Sequence, residues 1–190
     1  HLLLGALVEA HRRGVIHGDV TPGRALVEFS PGFDQVRGLR LVGWDLARFR
    51  EPGTGEVEDW ASDGQMAGTP LYMSPEHCSG DPVDERSDVY AVGVILHELL
   101  AGSPPFATTR VSEVFAQKLT SEPPPLPAHL EVPPWLDDIR IRMLSREPDR
   151  RPTAAEALAA VGSRTLPPPP TRDVPALITW DPPPGVDHVG

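Results

Sequence analysis

The sequence predicts a mainly α domain with one small two-stranded hairpin near its front. Three observations carry this. Several segments place apolar residues three and four apart, the period of a helix face. One of them, "DVYAVGVILHELLA" (88–101), is apolar on nearly every face, which demands a helix buried at the centre of a core. Two short apolar runs, "ALVEF" (25–29) and "LRLVGW" (39–44), are flanked by Gly and Pro and read as a strand pair.

The elements follow in order. Leu2, Leu3, Leu4, Ala6, Leu7 and Ala10 recur at helical spacing, so residues 2–12 form an amphipathic helix that stops at Gly14. The strand pair is joined by "SPGFDQVRG", a loop rich in turn residues. Residues 51–70 are polar, acidic and Gly-rich, and so a long loop. Asp88 stands at the start of the central apolar run, where an N-terminal cap belongs. Residues 110–121 form a weaker amphipathic helix. Residues 133–145 form another, entered through proline as helix starts favour. Residues 153–161 close the set, with Thr153 as cap and Gly162 beyond the end. From Ser163 the composition shifts to eight prolines in 28 residues, including "PPPP" and "PPP". Such a stretch is extended and partly polyproline rather than core. The expected organisation is one domain over 1–162 and a proline-rich flexible tail over 163–190.

Composition narrows the function. The 190 residues suffice for a sizeable core, and 39% hydrophobic with 23% charged is ordinary for a globular chain. A net charge of −10 argues against a nucleic-acid or anionic-membrane surface, which needs clustered Lys and Arg. No run approaches the ~18 apolar residues of a membrane helix; "VYAVGVIL" is interrupted by His97 and Glu98. The single cysteine, Cys78, allows no internal disulfide and fits a reducing, cytoplasmic setting as an ordinary thiol. The start "HLLLGALVEA" has no basic leader, so it is not a signal peptide, and it begins inside a helical pattern, as if sequence were missing upstream.

The chemistry-bearing motifs come in a fixed order: "HGDVTPGRAL", "LVGWDLAR", "GTPLYMSPE", "RSDVYAVGVILHELLAGSPPF" and "REPDRRPTAAEAL". Together, over roughly residues 2–162, they resemble the C-terminal lobe of eukaryotic-type Ser/Thr protein kinases. The resemblance implies an α+β protein-kinase-like fold reduced to its C-terminal helical lobe, with the N-terminal lobe absent from this chain. The Gly-rich loop and the phosphate-pairing lysine of such kinases would precede His1, and no G-x-G-x-x-G occurs in these residues.

The same resemblance assigns roles residue by residue. Asp19 matches the catalytic base. Gly18 stands where the family has an Arg that reads phosphorylation, and Thr21 where it has a Lys that steadies the transferred phosphoryl group. Arg24 stands where an Asn holds magnesium. A guanidinium repels a cation and cannot ligate one, and its simplest placement is in solvent, with a phosphate or nearby carboxylate as the other options. Gly43, Trp44 and Asp45 replace Asp-Phe-Gly, so the second metal ligand has no side chain. Asp45 lies at a turn, and relocated metal binding there is not expected. Thr69 matches the peptide-binding ledge. His17 and Trp44 match the apolar column anchored by Asp88, and Glu76 and Arg151 match the ion pair that ties the activation segment to the lobe.

Magnitudes then decide the expected activity. Phosphoryl transfer rests on positioning and charge neutralisation. Losing one preorganised electrostatic group costs on the order of 100- to 1000-fold, and here both metal ligands and the loop Lys are replaced together. The expectation is a catalytically inactive kinase-like domain, or pseudokinase, that binds protein partners and needs neither ATP nor Mg2+. Two alternatives stand beside it. One is a Ser/Thr kinase whose N-terminal lobe lies outside this chain, using ATP and Mg2+. The other is a gene fragment without function.

Overall fold

Segment 2–12 folds as helix α1 (Leu2–Arg12) because its apolar residues share one side, burying Leu4, Leu7 and Ala10. The computed structural model describes residues 1–32, 35–50, 57 and 68–162. After α1 come β1 (Val15–Ile16), a 3-10 turn at Pro22–Arg24, β2 (Ala25–Phe29), β3 (Val36–Leu41), a 3-10 turn at Trp44–Leu46 and β4 (Arg48–Phe49). Then follow α2 (Pro75–Ser79), α3 (Glu85–Ala101), α4 (Val111–Thr120), α5 (Pro134–Met143), a 3-10 turn at Pro148–Arg150 and α6 (Ala154–Gly162). The mainly α class with a small hairpin is the one observed. Most of the expected 51–70 loop and the whole 163–190 tail lie outside the described residues.

The hairpin pairs β2 with β3 antiparallel, Ala25 opposite Leu41 and Phe29 opposite Val36. Ser30 closes it: its N–H donates to the Gln35 carbonyl at 2.8 Å, and its hydroxyl accepts from the Gln35 N–H at 3.1 Å. The second strand therefore starts at Val36, earlier than the apolar run suggests, because Arg37 and Arg40 interrupt the pattern on its exposed side. It ends at Leu41 because the chain turns at Gly43. A second sheet of two residues per strand pairs β1 with β4. Such short strands leave no periodic signal in the sequence.

Helix α3 is the core, as its apolar run requires: residues 87–95 and His97 are buried. It starts earlier than expected, and its cap is Asp84 rather than Asp88. The Asp84 carboxylate accepts the Arg86 N–H at 2.8 Å, and the Ser87 hydroxyl accepts the Asp84 N–H at 3.4 Å, a reciprocal capping box. The polar first turn "ERSD" hid this from an apolar-pattern reading. Helices α1, α5 and α6 pack on α3, with Leu7, Val89, Ile139 and Ala157 in one cluster. The Leu, Val and Ile side chains among these contribute about 1.5–3 kcal/mol each of burial. Thr153 caps α6 as expected: its hydroxyl accepts the Glu156 N–H, while the Glu156 carboxylate accepts the Thr153 N–H at 2.8 Å. Among the described residues no helix is long and apolar enough to cross a membrane.

Candidate functional site

The loop after β1 is held from below by α3. Asp88, fully buried in the first turn, accepts the N–H groups of His17 at 2.8 Å and Gly18 at 2.9 Å. His11 on α1 places Nε2 2.9 Å from the same carboxylate. Asp88 is thus an anchor for the loop and not a helix cap. Gly18 has φ +77°, and a Cβ there would lie 2.6 Å from the Leu46 carbonyl oxygen, so the smallest residue fits this crossing. The His17 ring lies 4.5 Å from that of Trp44, tilted by 57°. Trp44 donates Nε1–H to the Leu41 carbonyl and keeps 39% of its surface exposed, while His17 beneath it is fully buried.

Asp19 is buried and both of its oxygens are engaged. Oδ1 accepts the Thr69 N–H at 3.0 Å; Oδ2 forms an ion pair with the Arg24 guanidinium. This corrects the placement of Arg24 in solvent. Its side chain is 26% exposed, it also donates to the Gly43 carbonyl, and Asp45 stands 3.7 Å away. The physical reason is local: the Val42 N–H donates to the Arg24 carbonyl at 2.9 Å, which brings residues 24 and 43 side by side. With no side chain at 43, the guanidinium lies where one would start. Of the expected residues, the fold thus brings Asp19, Arg24, Gly43 and the backbone of Thr69 together, while Trp44 stands beside them on His17.

These residues do not fit a divalent metal. Of the two positions where the resemblance expects ligands, Gly43 offers only a carbonyl, which an arginine already takes, and Arg24 is itself a cation. Among the described residues no group of three His, Cys, Asp or Glu side chains is placed to hold an ion. A substrate hydroxyl approaching Asp19 would share a carboxylate already held by the Thr69 N–H and the Arg24 guanidinium.

The other expected pair sits deep in the lobe. Arg151 and Glu76 meet through two parallel hydrogen bonds of 2.7 Å each. The remaining N–H donors of Arg151 reach the carbonyls of Ser145, Arg146 and Arg86, so its five donors are all used. Its guanidinium lies 5.0 Å from the Tyr90 ring centre. Burial alone would raise the Glu76 carboxyl; Arg151, aided by the Ser87 hydroxyl at 2.6 Å, outweighs it and holds that carboxyl below its usual range.

Sequence reasoning missed the group that supports the segment following Thr69. Lys118 of α4 is buried, and Nζ donates to the carbonyls of Leu71 at 2.8 Å and Met73 at 2.5 Å. It also lies 5.2 Å from the Tyr90 ring centre. Burial lowers its ammonium to about 8 and pushes the neighbouring Cys78 thiol up to about 11, which makes Cys78 an inert thiol. Tyr72 adds a second tie, donating to Glu98 at 2.7 Å. The available signal was Lys118 four residues after the buried Val114, a lysine on the apolar face of a helix.

Residues 1–161 match the sequence profile of the protein kinase domain. The chain is 36% identical over 161 residues to the serine/threonine-protein kinase pkn3 of Myxococcus xanthus, covering 83% of this chain and 29% of that protein. It is 35% identical over 156 residues to the serine/threonine-protein kinase PknB of Mycolicibacterium smegmatis, covering 81% of this chain and 24% of that protein. The DNA damage-responsive serine/threonine-protein kinase RqkA of Deinococcus radiodurans is similar at 35% over 156 residues, 81% of this chain and 22% of the relative. The chain spans less than a third of the length of each of these relatives.

Proposed function

This chain belongs to the protein kinase family, and from that premise we propose that it is a catalytically inactive member whose lobe, residues 1–162, serves as a binding or regulatory module for protein partners. The observation that carries the proposal is the state of Asp19. A base for phosphoryl transfer works beside metal ions and a lysine that neutralise the transferred group. Here Asp19 is instead bound to an arginine and to the Thr69 N–H. Gly43 and Thr21 stand at the positions of a metal ligand and the phosphate-steadying lysine. The parts that shape the lobe, Asp88 under the loop and Arg151 on Glu76, retain full sets of partners. A module of this kind needs neither ATP nor Mg2+.

Thermal unfolding with ATP, with and without magnesium, together with transfer of labelled γ-phosphate to a Ser/Thr peptide mixture, tests the reading. The expected outcome is no magnesium-dependent stabilisation and no transfer. A clear stabilisation that needs both ATP and magnesium would sink it.

A second reading, phosphoryl transfer to Ser or Thr, is favoured by the presence of Asp19 and by the names of the relatives. The coding sequence upstream of His1 discriminates. A Gly-rich loop followed by a strand lysine raises this reading, because those parts cradle and pair the phosphates.

A further inference from the structure

We infer that Arg24 is a built-in cation that takes the place of a divalent metal between the catalytic loop and the segment after β3, and that positions 24 and 43 form a coupled pair. The inference deepens the inactive reading above: it names what holds the site together without metal.

The oxygen atoms around the guanidinium are those a hard divalent cation would seek: the Asp19 carboxylate, the Gly43 carbonyl and, at 3.7 Å, the Asp45 carboxylate. The guanidinium satisfies them with N–H groups of fixed geometry. One positive charge faces two negative ones, and the cluster is three-quarters shielded from solvent at Arg24. Asp19 passes the constraint on through Oδ1, which holds the Thr69 N–H of the peptide ledge. Arg24 therefore links three segments that are distant in sequence: the loop at 19, the turn at 43–45 and the ledge at 69.

The coupling is steric as well as electrostatic. A Cβ added at Gly43 would lie 2.3 Å from Arg24 Nη1, 3.0 Å from Cδ and 3.1 Å from Cζ. Gly43 also adopts φ +78°, which favours glycine. An aspartate at 43 thus cannot enter while Arg24 holds its present position. An asparagine at 24 alone would leave Asp19 buried without its counter-charge. Each replacement makes sense only with the other.

The test is a double-substitution cycle on the 190-residue chain, reading thermal unfolding with and without millimolar manganese as probe. Arg24→Asn and Gly43→Asp should each lower Tm by roughly 3–8 °C. The double variant should lose clearly less than the sum, and it alone should gain stability from manganese. The wild-type chain should be indifferent to manganese. Additive losses, or an equal manganese response in Gly43→Asp alone, would overturn the inference. Hydrogen exchange at the Thr69 amide in Arg24→Gln covers the case of a double variant that does not fold. Faster exchange than in the wild-type chain supports the link, and unchanged protection overturns it. Phosphate transfer by the wild-type chain is a separate readout: it would overturn the inactive reading while the cycle still reported on the pair.

Discussion

Two arginine–carboxylate pairs divide this lobe, and they differ in what surrounds them. Arg151 has no exposed side-chain surface, meets Glu76 through two parallel bonds and spends its other donors on three carbonyls. Arg24 is a quarter exposed and faces a carboxylate on the loop, a carbonyl and a more distant, solvent-exposed carboxylate. The first pair is locked by a saturated interior. The second is partly open to solvent, which can compensate some of what a substitution removes.

The most severe break is Arg151→Met. It leaves the Glu76 carboxylate buried without a counter-charge, and stability should fall by about 3–5 kcal/mol. Denaturant unfolding checks this, and a loss of about 1–2 kcal/mol would put the two pairs on equal terms. The same pair shapes the acid limb. The Glu76 carboxyl lies below its ordinary value of 4.5, so its contribution is fully present above that value and is lost as pH falls through the lower folded value. Glu76→Gln should flatten that part of the stability curve.

Lys118→Met comes next. The carbonyls of Leu71 and Met73 lose their shared donor, at a cost of about 1–3 kcal/mol. Its pH signature is independent of that loss. The folded amine releases its proton near 8 while the unfolded one holds it to 10.5, so stability rises with pH above about 8. Between pH 8 and 9, below the ordinary thiol value of 9 for Cys78, the slope should vanish in Lys118→Met. A slope that survives would show that another group titrates there.

Arg24→Ala should cost about 1–2 kcal/mol, less than Arg151→Met because part of its surroundings is water. Chemical denaturation of the two variants side by side sharpens the contrast, and equal losses would erase it. Thr153→Ala is the smallest change. It removes a cap on an exposed helix start, and Tm should drop by about 2 °C.

The parts of the fold that were legible are those with a local code. The α1 pattern announces one buried face, the central run needs burial on all sides, and Thr153 with Glu156 writes a cap in four residues. Strands of two residues carry no period, so β1 and β4 were not legible. Helix α2 was too short to show one, although Ser74 and Pro75 mark its start. Asp84 was missed as the cap because the polar first turn precedes the apolar run by which the helix was recognised. At the site, Asp19 and Gly43 were legible as positions in a motif, whereas the partner of Arg24 was not. Lys118 stood out only as a lysine on an apolar helix face, and its partners were not legible for the same reason. Its role depends on two carbonyls 45 and 47 residues away.

The sequence by itself determined the family and the mainly α class, and it carries the identities of Thr21, Arg24 and Gly43 on which the inactive reading rests. Those are properties of residue identity and order, and they survive in any conformation. Only the tertiary structure decided where the new charge goes. Arg24 and Gly43 are 19 residues apart, and nothing in their spacing says that one fills the space the other vacates. That follows from the hydrogen bond that lays the two backbones together and from the absence of a Cβ at the point of contact.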